Sequence, residues 1–250
     1  VDNLVNKIEL FGLHFASLDI RQESSVHGKV IEAIAAKNAE LLSGYSEADH
    51  AEKKKMLTSL QPPDALIIPD DPLYADTIKS IGAVKLIQRY NGPEGCNRYV
   101  ISQFKHAVHA IEVYGLFILA GWSPDELNVD IVPLFETIDD LQQAATAMRE
   151  LYTDEVYRKH LKRRHNRQTI MLGFSDGTKD GGYLMANWGI YKAKEALTAV
   201  SREYGIDVIF FDGRGGPPAR GGGKTHKFYA SMGKNISNKE IQLTIQGQTV

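Results

Sequence analysis

The chain has 250 residues and a mass of 27.8 kDa, with 43% apolar and 24% charged residues. This is ordinary globular composition, and it excludes a disordered chain, a fibrous repeat and a disulfide scaffold. Twenty-nine basic and thirty-one acidic residues give a net charge of −2, so no global positive field would attract nucleic acid or an anionic membrane. Cys96 is the single cysteine, which excludes an internal disulfide and predicts a reducing, cytoplasmic location.

The two ends of the chain predict that it is a piece of a longer protein. It opens on Val1 rather than on Met and enters a helical pattern by Leu4. It closes on residues 246–250 with no polar tail after an apparent strand. The sequence shows no signal peptide and no apolar run of membrane-spanning length.

Short β-rich runs alternate with helical patterns along the chain. The runs predicted as strands are Phe15–Ile20, Arg98–Gln103, Asn128–Phe135, Gln168–Phe174, Asp207–Phe211 and Glu240–Ile245. The predicted helices are Ser25–Leu42, Ser46–Leu60 with Ser46 and Asp49 as a capping box, Tyr74–Arg89, His106–Ala120, Asp139–Tyr152, Asp154–His165 and Tyr183–Tyr204. This order predicts an α/β fold with a parallel sheet and crossover helices. We expect one domain over residues 1–250, with a helical insertion at residues 24–95 that contains the proline-rich loop Gln61–Pro72.

Charged side chains follow several of the predicted strands, either directly or within five residues. They are Arg21, Glu136, Asp176 with Lys179, and Asp212 with Arg214. In a β/α barrel the carboxyl ends of the strands converge on one face, which carries the active site. We therefore expect these charged side chains to lie close together in one site, on the face formed by the carboxyl ends of the strands. The alternative is that each strand simply ends in a polar loop.

The residue types in this set point to a metal and an anion. Glu136 and Asp176 are the kind of oxygen ligands that hold Mg²⁺ or Mn²⁺ together with water and substrate. A guanidinium group binds phosphate or carboxylate through two parallel hydrogen bonds. The candidate cations at this end are Arg21, Lys179, Arg214 and Arg220. For any one of these arginines, the alternative is a surface ion pair.

The segment Gly213–Gly223 contains six glycines and two arginines. Glycine allows backbone N–H groups to approach an anion closely, so we interpret the segment as an anion-binding loop. A P-loop is excluded, because Pro218 occupies the position where that motif needs its first glycine. The alternative is a flexible hinge without a ligand.

The histidines carry weaker signals than the strand ends, and Cys96 is interpreted as structural. His106 and His109 lie one helical turn apart without an accompanying carboxylate or cysteine, so we expect them on a helix face. His160 and His165 lie among lysines and arginines, which predicts a solvated basic face. The alternative is that this face binds an anion, but it lacks interleaved aromatic residues, so a nucleic-acid partner is not expected.

Four ordered motifs together resemble the phosphoenolpyruvate carboxylase family. They are "FGLHFASLDIRQES" with His27 after it, "VPLFETIDDLQ", "IMLGFSDGTKDGG" with "ANWGIYKAKEAL", and "FFDGRGGPPARGGGKTH". The resemblance runs from about Phe11 to Gly247. It implies an incomplete (β/α)8 TIM-type barrel with additional helices, a cytoplasmic enzyme, and a homo-oligomer that is a tetramer in the family.

The resemblance also implies a reaction: phosphoenolpyruvate and bicarbonate, with Mg²⁺ or Mn²⁺, give oxaloacetate and phosphate. Glu136 and Asp176 match the family's metal ligands. Arg21 and Arg214 match arginines that hold the substrate phosphate, and Leu134 and Met171 match apolar residues that shelter transient CO₂. The catalytic set implied by the resemblance is Arg220 on the bicarbonate side, Lys179, Asp212 and Arg214.

The chain departs from the family at three places. Asp212 stands where the family usually has histidine, which would add negative charge beside the metal site. Residues 217–219 replace a glycine-containing spacer, and Ile245 and Gln248 stand where glutamates are usual. The family's catalytic histidine lies upstream of Val1, and further phosphate-binding arginines lie after Val250.

Three functions therefore remain open. The first is the carboxylase, with the isolated chain inactive. The second is a non-catalytic anion-binding or regulatory module that retains the barrel site. The third is another metal-dependent barrel enzyme that acts on a phosphorylated keto acid.

Overall fold

The computed structural model describes residues 1–12, 16–173, 175–213, 225–237 and 239–243, and within these ranges the side chains of residues 175–177, 180, 225 and 226 are not described. The strands are β1 (Leu18–Glu23), β2 (Cys96–Ser102), β3 (Asp130–Phe135), β4 (Arg167–Gly173), β5 (Asp207–Gly213) and β6 (Ile241–Leu243). The helices are α1 (Asp2–Phe11), α2 (Ser24–Lys37), α3 (Ala39–Leu42), α4 (His50–Thr58), α5 (Pro72–Asn91), α6 (Ala107–Leu119), α7 (Ile138–Thr153), α8 (Glu155–Arg163), α9 (Ser175–Glu203) and α10 (Thr225–Ala230).

The predicted α/β class is confirmed, and every run predicted as a strand overlaps an observed strand. Parallel strands alternate with helices, as expected for an incomplete β/α barrel. The largest shift is at the first strand, which begins at Leu18 and includes Arg21 instead of ending before it. The observed β6 is shorter than predicted, and residues 244 and 245 lie outside the described residues.

The helix predicted over Ser25–Leu42 is interrupted at Asn38, which has φ −131° and ψ 61°. Its side-chain amide donates to the carbonyl oxygens of Ile34 and Ile67 at 2.9 and 3.0 Å, and its Oδ1 accepts from the Ile67 N–H at 2.9 Å. Asn38 therefore ends α2 and also anchors the proline-rich loop, because one buried amide satisfies backbone groups from both segments.

The predicted capping box was wrong by three residues. The Asp49 carboxylate accepts from the Glu52 N–H at 2.9 Å, and the Glu52 carboxylate accepts from the Asp49 N–H at 3.1 Å. This reciprocal pair starts α4 at His50, whereas Ser46 lies in the preceding turn.

The described residues divide into two compact units. The first comprises Val1–Ile101 and Val108–Ile131, and the second comprises Ser102–Ala107 and Val132–Val250. The single domain expected over residues 1–250 therefore remains a prediction. No helix in the described ranges is long and apolar enough to cross a membrane.

The first unit holds α2–α5, which occupy the predicted insertion, and α6. Helices α2 and α5 pack against each other. In α6 the Phe117 ring meets Tyr99 and Trp122 edge-on, with ring centroids 5.7 Å apart in both pairs. Gly115 allows α6 to approach Leu57, because a Cβ there would lie 2.7 Å from a Leu57 methyl carbon.

The second unit is built on parallel strands that pair in chain order from β3 to β6. Leu134 pairs with Met171 between β3 and β4, Met171 with Phe211 between β4 and β5, and Phe211 with Gln242 between β5 and β6. Helices α7 and α9 pack together, and α9 also packs on β4 and β5. Because side chains alternate along a strand, this register determines which residues share a face of the sheet.

Candidate functional site

An apolar pair lies near the carboxyl ends of β3 and β4. Leu134 and Met171 are register partners, so they share one face of the sheet, and they are 7% and 5% exposed. The structure thus brings together the two residues expected to shelter CO₂. Their buried, apolar surfaces exclude water, as that role requires.

Glu136 directly follows β3 and lies two residues beyond Leu134, on the same face. Its Oε2 accepts a hydrogen bond from the Gln103 N–H at 2.8 Å. Gln103 has φ 51°, in the left-handed region, and lies in the turn that follows β2. The sequence analysis missed Gln103, because a backbone donor at a positive φ leaves no motif.

Gly173 allows β4 to lie close against Glu136. A Cβ on Gly173 would lie 3.2 Å from the Glu136 Cα and 3.4 Å from the Phe135 carbonyl oxygen. A side chain at Gly173 would therefore press on the backbone that carries the carboxylate. Glu136 is half-buried, and its hard oxygen atoms suit Mg²⁺ or Mn²⁺.

The glycines that end the "TKDGG" motif have two separate local functions. A Cβ on Gly181 would lie 3.1 Å from the Ile138 side chain in α7. Gly182 has φ 78° and divides α9 into a short first part and a long second part. The predicted cation Lys179 lies on the first part and is exposed.

Several predicted site residues fall outside what the structure describes. Arg214 and Arg220 lie in residues 214–224, and the Asp176 side chain is not described. Among the described side chains, no group of three or more His, Cys, Asp or Glu residues could hold a metal ion. The two predicted metal ligands thus remain a prediction, for which Glu136 supplies a fitting oxygen donor.

Arg21 lies in β1 within the first unit and forms an ion pair. Its Nη2 is 3.4 Å from Asp19 Oδ2, while Arg98 Nε is 2.8 Å from Asp19 Oδ1. The Arg21 side chain is 45% exposed. The structure thus shows the ion-pair alternative raised for a single arginine, and phosphate binding by Arg21 remains a prediction.

Asp212 has partners that its sequence position did not suggest. Lys194 Nζ donates to Asp212 Oδ2 at 2.6 Å, and the Tyr229 hydroxyl donates to the same oxygen at 2.5 Å. A Cβ on the next residue, Gly213, would lie 3.5 Å from the Met171 Cε, so Gly213 faces Met171 and Asp212 faces the opposite side. A lysine on the apolar face of α9, between Ile190 and Leu197, was the signal for this pair.

Two of the described histidines, His27 and His160, are buried, and so is Cys96. His27 is fully buried with Nε2 2.9 Å from the Tyr99 hydroxyl, and burial, with a smaller effect of His109, lowers its pKa to about 3. The expectation that His160 lies on a solvated face was wrong, because it is fully buried beside the Tyr157 ring. Cys96, which the sequence analysis interprets as structural, is buried, and burial raises the pKa of its thiol.

The fold and this site define an α/β-barrel type of chain, with a carboxylate and a buried apolar pair at the carboxyl ends of parallel strands. The phosphoenolpyruvate carboxylase family model matches residues 1–250. Phosphoenolpyruvate carboxylases from Corynebacterium diphtheriae and Nitrosomonas europaea are each 37% identical, over 97% of this chain. The one from Nitrosomonas eutropha is 34% identical over 100% of it. The chain belongs to the phosphoenolpyruvate carboxylase family, and it spans 27–28% of the length of these relatives.

Proposed function

We propose that the protein containing this chain carboxylates phosphoenolpyruvate with bicarbonate, giving oxaloacetate and phosphate. The observation that carries the proposal is the shared face of Leu134, Met171 and Glu136 at the ends of β3 and β4. This arrangement joins a buried apolar surface to a carboxylate of the kind that binds Mg²⁺ or Mn²⁺, in a chain whose entire length matches the family. The enzyme would act in the cytoplasm as a homo-oligomer.

Each step of this reaction has a candidate group in the chain. A bicarbonate oxygen attacks the substrate phosphorus, which gives carboxyphosphate and the enolate of pyruvate. Carboxyphosphate then releases CO₂ and phosphate, and the enolate carbon attacks CO₂. Arg21 and Arg214 would hold the phosphate group, Arg220 would act on the bicarbonate side, and Lys179 would lie at the same site. Fixed cations of this kind stabilise developing negative charge.

Glu136 and Asp176 would hold the divalent metal. When bound, Mg²⁺ or Mn²⁺ supplies positive charge that stabilises oxygen anions of the substrate. The bond from the Gln103 N–H fixes one oxygen of the Glu136 carboxylate and orients the group before a metal arrives. Leu134 and Met171 keep water away from CO₂, which would otherwise be hydrated.

We also propose that the 250 residues alone do not complete the reaction. They span 27–28% of the length of their relatives, and the family's catalytic histidine is expected upstream of Val1. The alternative of a non-catalytic anion-binding module applies to this isolated part.

The test is a Mn²⁺ titration of the full-length protein, with oxaloacetate formation followed through NADH oxidation by malate dehydrogenase. Glu136→Gln and Asp176→Asn should each lose most of the Mn²⁺ affinity and the activity, because each removes one of few protein ligands. Glu155→Gln, at an exposed position on α8, is the control and should change neither. Unchanged Mn²⁺ affinity in both site variants would show that the pair does not bind the metal.

A further inference from the structure

The carboxylate of Asp212 forms a buried ion pair with Lys194, on the face of β5 that packs against α9. The side chains of Lys194 and Asp212 are 1% and 6% exposed, and their charged atoms lie 2.6 Å apart. Lys194 Nζ also lies 5.3 Å from the Phe210 ring centroid and 5.5 Å from that of Tyr229. The acid that stands in place of the family's histidine is therefore matched by a buried lysine and adds no net charge to the site.

This cluster joins three elements around the end of β5. Asp212 belongs to the strand, Lys194 to α9 and Tyr229 to α10. On the other side of the strand end, Gly213 is the register partner of Gly173, and a Cβ on Gly213 would lie 3.2 Å from the Leu172 carbonyl oxygen. The strand end is thus held by β4 on one side and by the buried cluster on the other.

We propose that Asp212, held by Lys194 and Tyr229, is a positioning residue for Arg214 and not a catalytic residue. Arg214 is bonded directly to Gly213, so the place where β5 ends determines where Arg214 begins. The carboxylate faces away from Met171, Leu134 and Glu136, so it acts on the reaction only through the backbone. The proposal rests on the proposed function, in which Arg214 binds the substrate phosphate.

The experiment compares four variants of the full-length protein. They are Asp212→Asn, the double variant Asp212→Asn with Lys194→Met, Tyr229→Phe and the control Asp207→Asn. For each, we would measure the thermal midpoint, kcat and KM for phosphoenolpyruvate at a temperature well below the midpoint. Asp207 is a matched control, because it lies on β5 like Asp212 but at the other, exposed end of the strand. Its carboxylate also forms an ion pair, with Lys239 Nζ at 2.9 Å.

Asp212→Asn leaves the Lys194 charge buried without its partner, which should lower the midpoint and displace the strand end. We expect KM for phosphoenolpyruvate to rise by about tenfold or more, as for a weakened charge-assisted bond to phosphate, with kcat within about threefold. In the double variant, Lys194→Met removes the unpaired buried charge and should restore both the thermal midpoint and KM. Tyr229→Phe should give a smaller rise in KM, and Asp207→Asn should give none.

Three results would overturn the proposal. If Asp212→Asn lowers kcat and the double variant stays equally slow, the carboxylate itself takes part in the reaction. If KM and kcat are unchanged while the midpoint falls, the cluster serves stability alone. Should Asp212→Asn fail to fold, an unchanged KM in Tyr229→Phe refutes positioning. Failure of the proposed function is distinguishable, since wild-type protein would then form no oxaloacetate.

Discussion

Glu112 in α6 makes the stability of the first unit dependent on pH. It is 5% exposed and accepts a hydrogen bond from the Tyr45 hydroxyl at 3.2 Å. Burial, with a smaller effect of Glu32, raises the pKa of Glu112 to about 7, whereas Tyr45 and Lys53 act in the opposite direction. The folded protein thus favours the neutral carboxyl group, while the unfolded chain ionises near its ordinary value of 4.5.

A raised carboxyl pKa stabilises the fold at low pH, and that stabilisation is lost as the pH rises through the folded value. Below pH 4.5 the contribution is fully present, and between pH 4.5 and 7 it declines. At pH 8 the shift of the pKa from 4.5 to about 7 makes the free energy of unfolding roughly 3 kcal/mol lower than it is below pH 4.5. This follows because one unit of pKa shift is worth about 1.36 kcal/mol. At pH 5 the same arithmetic gives a loss of stability below about 1 kcal/mol.

Glu112→Gln removes the ionisation and keeps an oxygen that can accept from Tyr45. We expect it to raise the free energy of unfolding by about 2 kcal/mol at pH 8, after about 1 kcal/mol is subtracted for imperfect pairing of the new amide. At pH 5 the gain should vanish. Urea unfolding of the 250-residue chain at both pH values measures this.

The control is Glu126→Gln, at an exposed glutamate whose pKa is lowered by its hydrogen bond to Lys85. It should not stabilise the chain at pH 8. A gain for Glu112→Gln that is equally large at pH 5 and pH 8 would refute the reasoning, because the effect would then not come from ionisation.

Three further outcomes concern the proposed reaction in the full-length protein and in the isolated chain. Gly173→Ala should weaken Mn²⁺ binding in a titration, because its Cβ would press on the Glu136 backbone at 3.2 Å; unchanged affinity would show that the strands can separate without cost. Arg214→Gln should weaken phosphoenolpyruvate binding about tenfold to hundredfold, whereas Arg220→Ser should lower turnover more than binding, and steady-state kinetics showing the reverse would contradict these roles. The 250-residue chain alone should form no oxaloacetate in the coupled NADH assay, and metal-dependent turnover above a Glu136→Ala control would contradict this.

The sequence by itself predicted the approximate positions of the strands and named the residues proposed for the candidate site. Apolar runs such as Gln168–Phe174 predicted β4 almost to the residue, because a strand buried on both faces needs apolar side chains at nearly every position. The position of Glu136 directly after such a run placed it at the carboxyl end of a parallel strand. Both signals are local, since a few neighbouring residues carry them.

The tertiary structure decided which face each residue takes and where some helices begin or end. Asn38 interrupts a helical pattern because its side chain donates a hydrogen bond to the carbonyl oxygen of Ile67, which lies 29 residues further along the chain. Asp212 follows an apolar run, as Glu136 does. The alternation of side chains along β5 nevertheless turns it to the opposite face, towards Lys194, which lies 18 residues earlier. A shift of one residue along a strand reverses the face, so only long-range register and the packing of α9 could separate a buried ion pair from a catalytic acid.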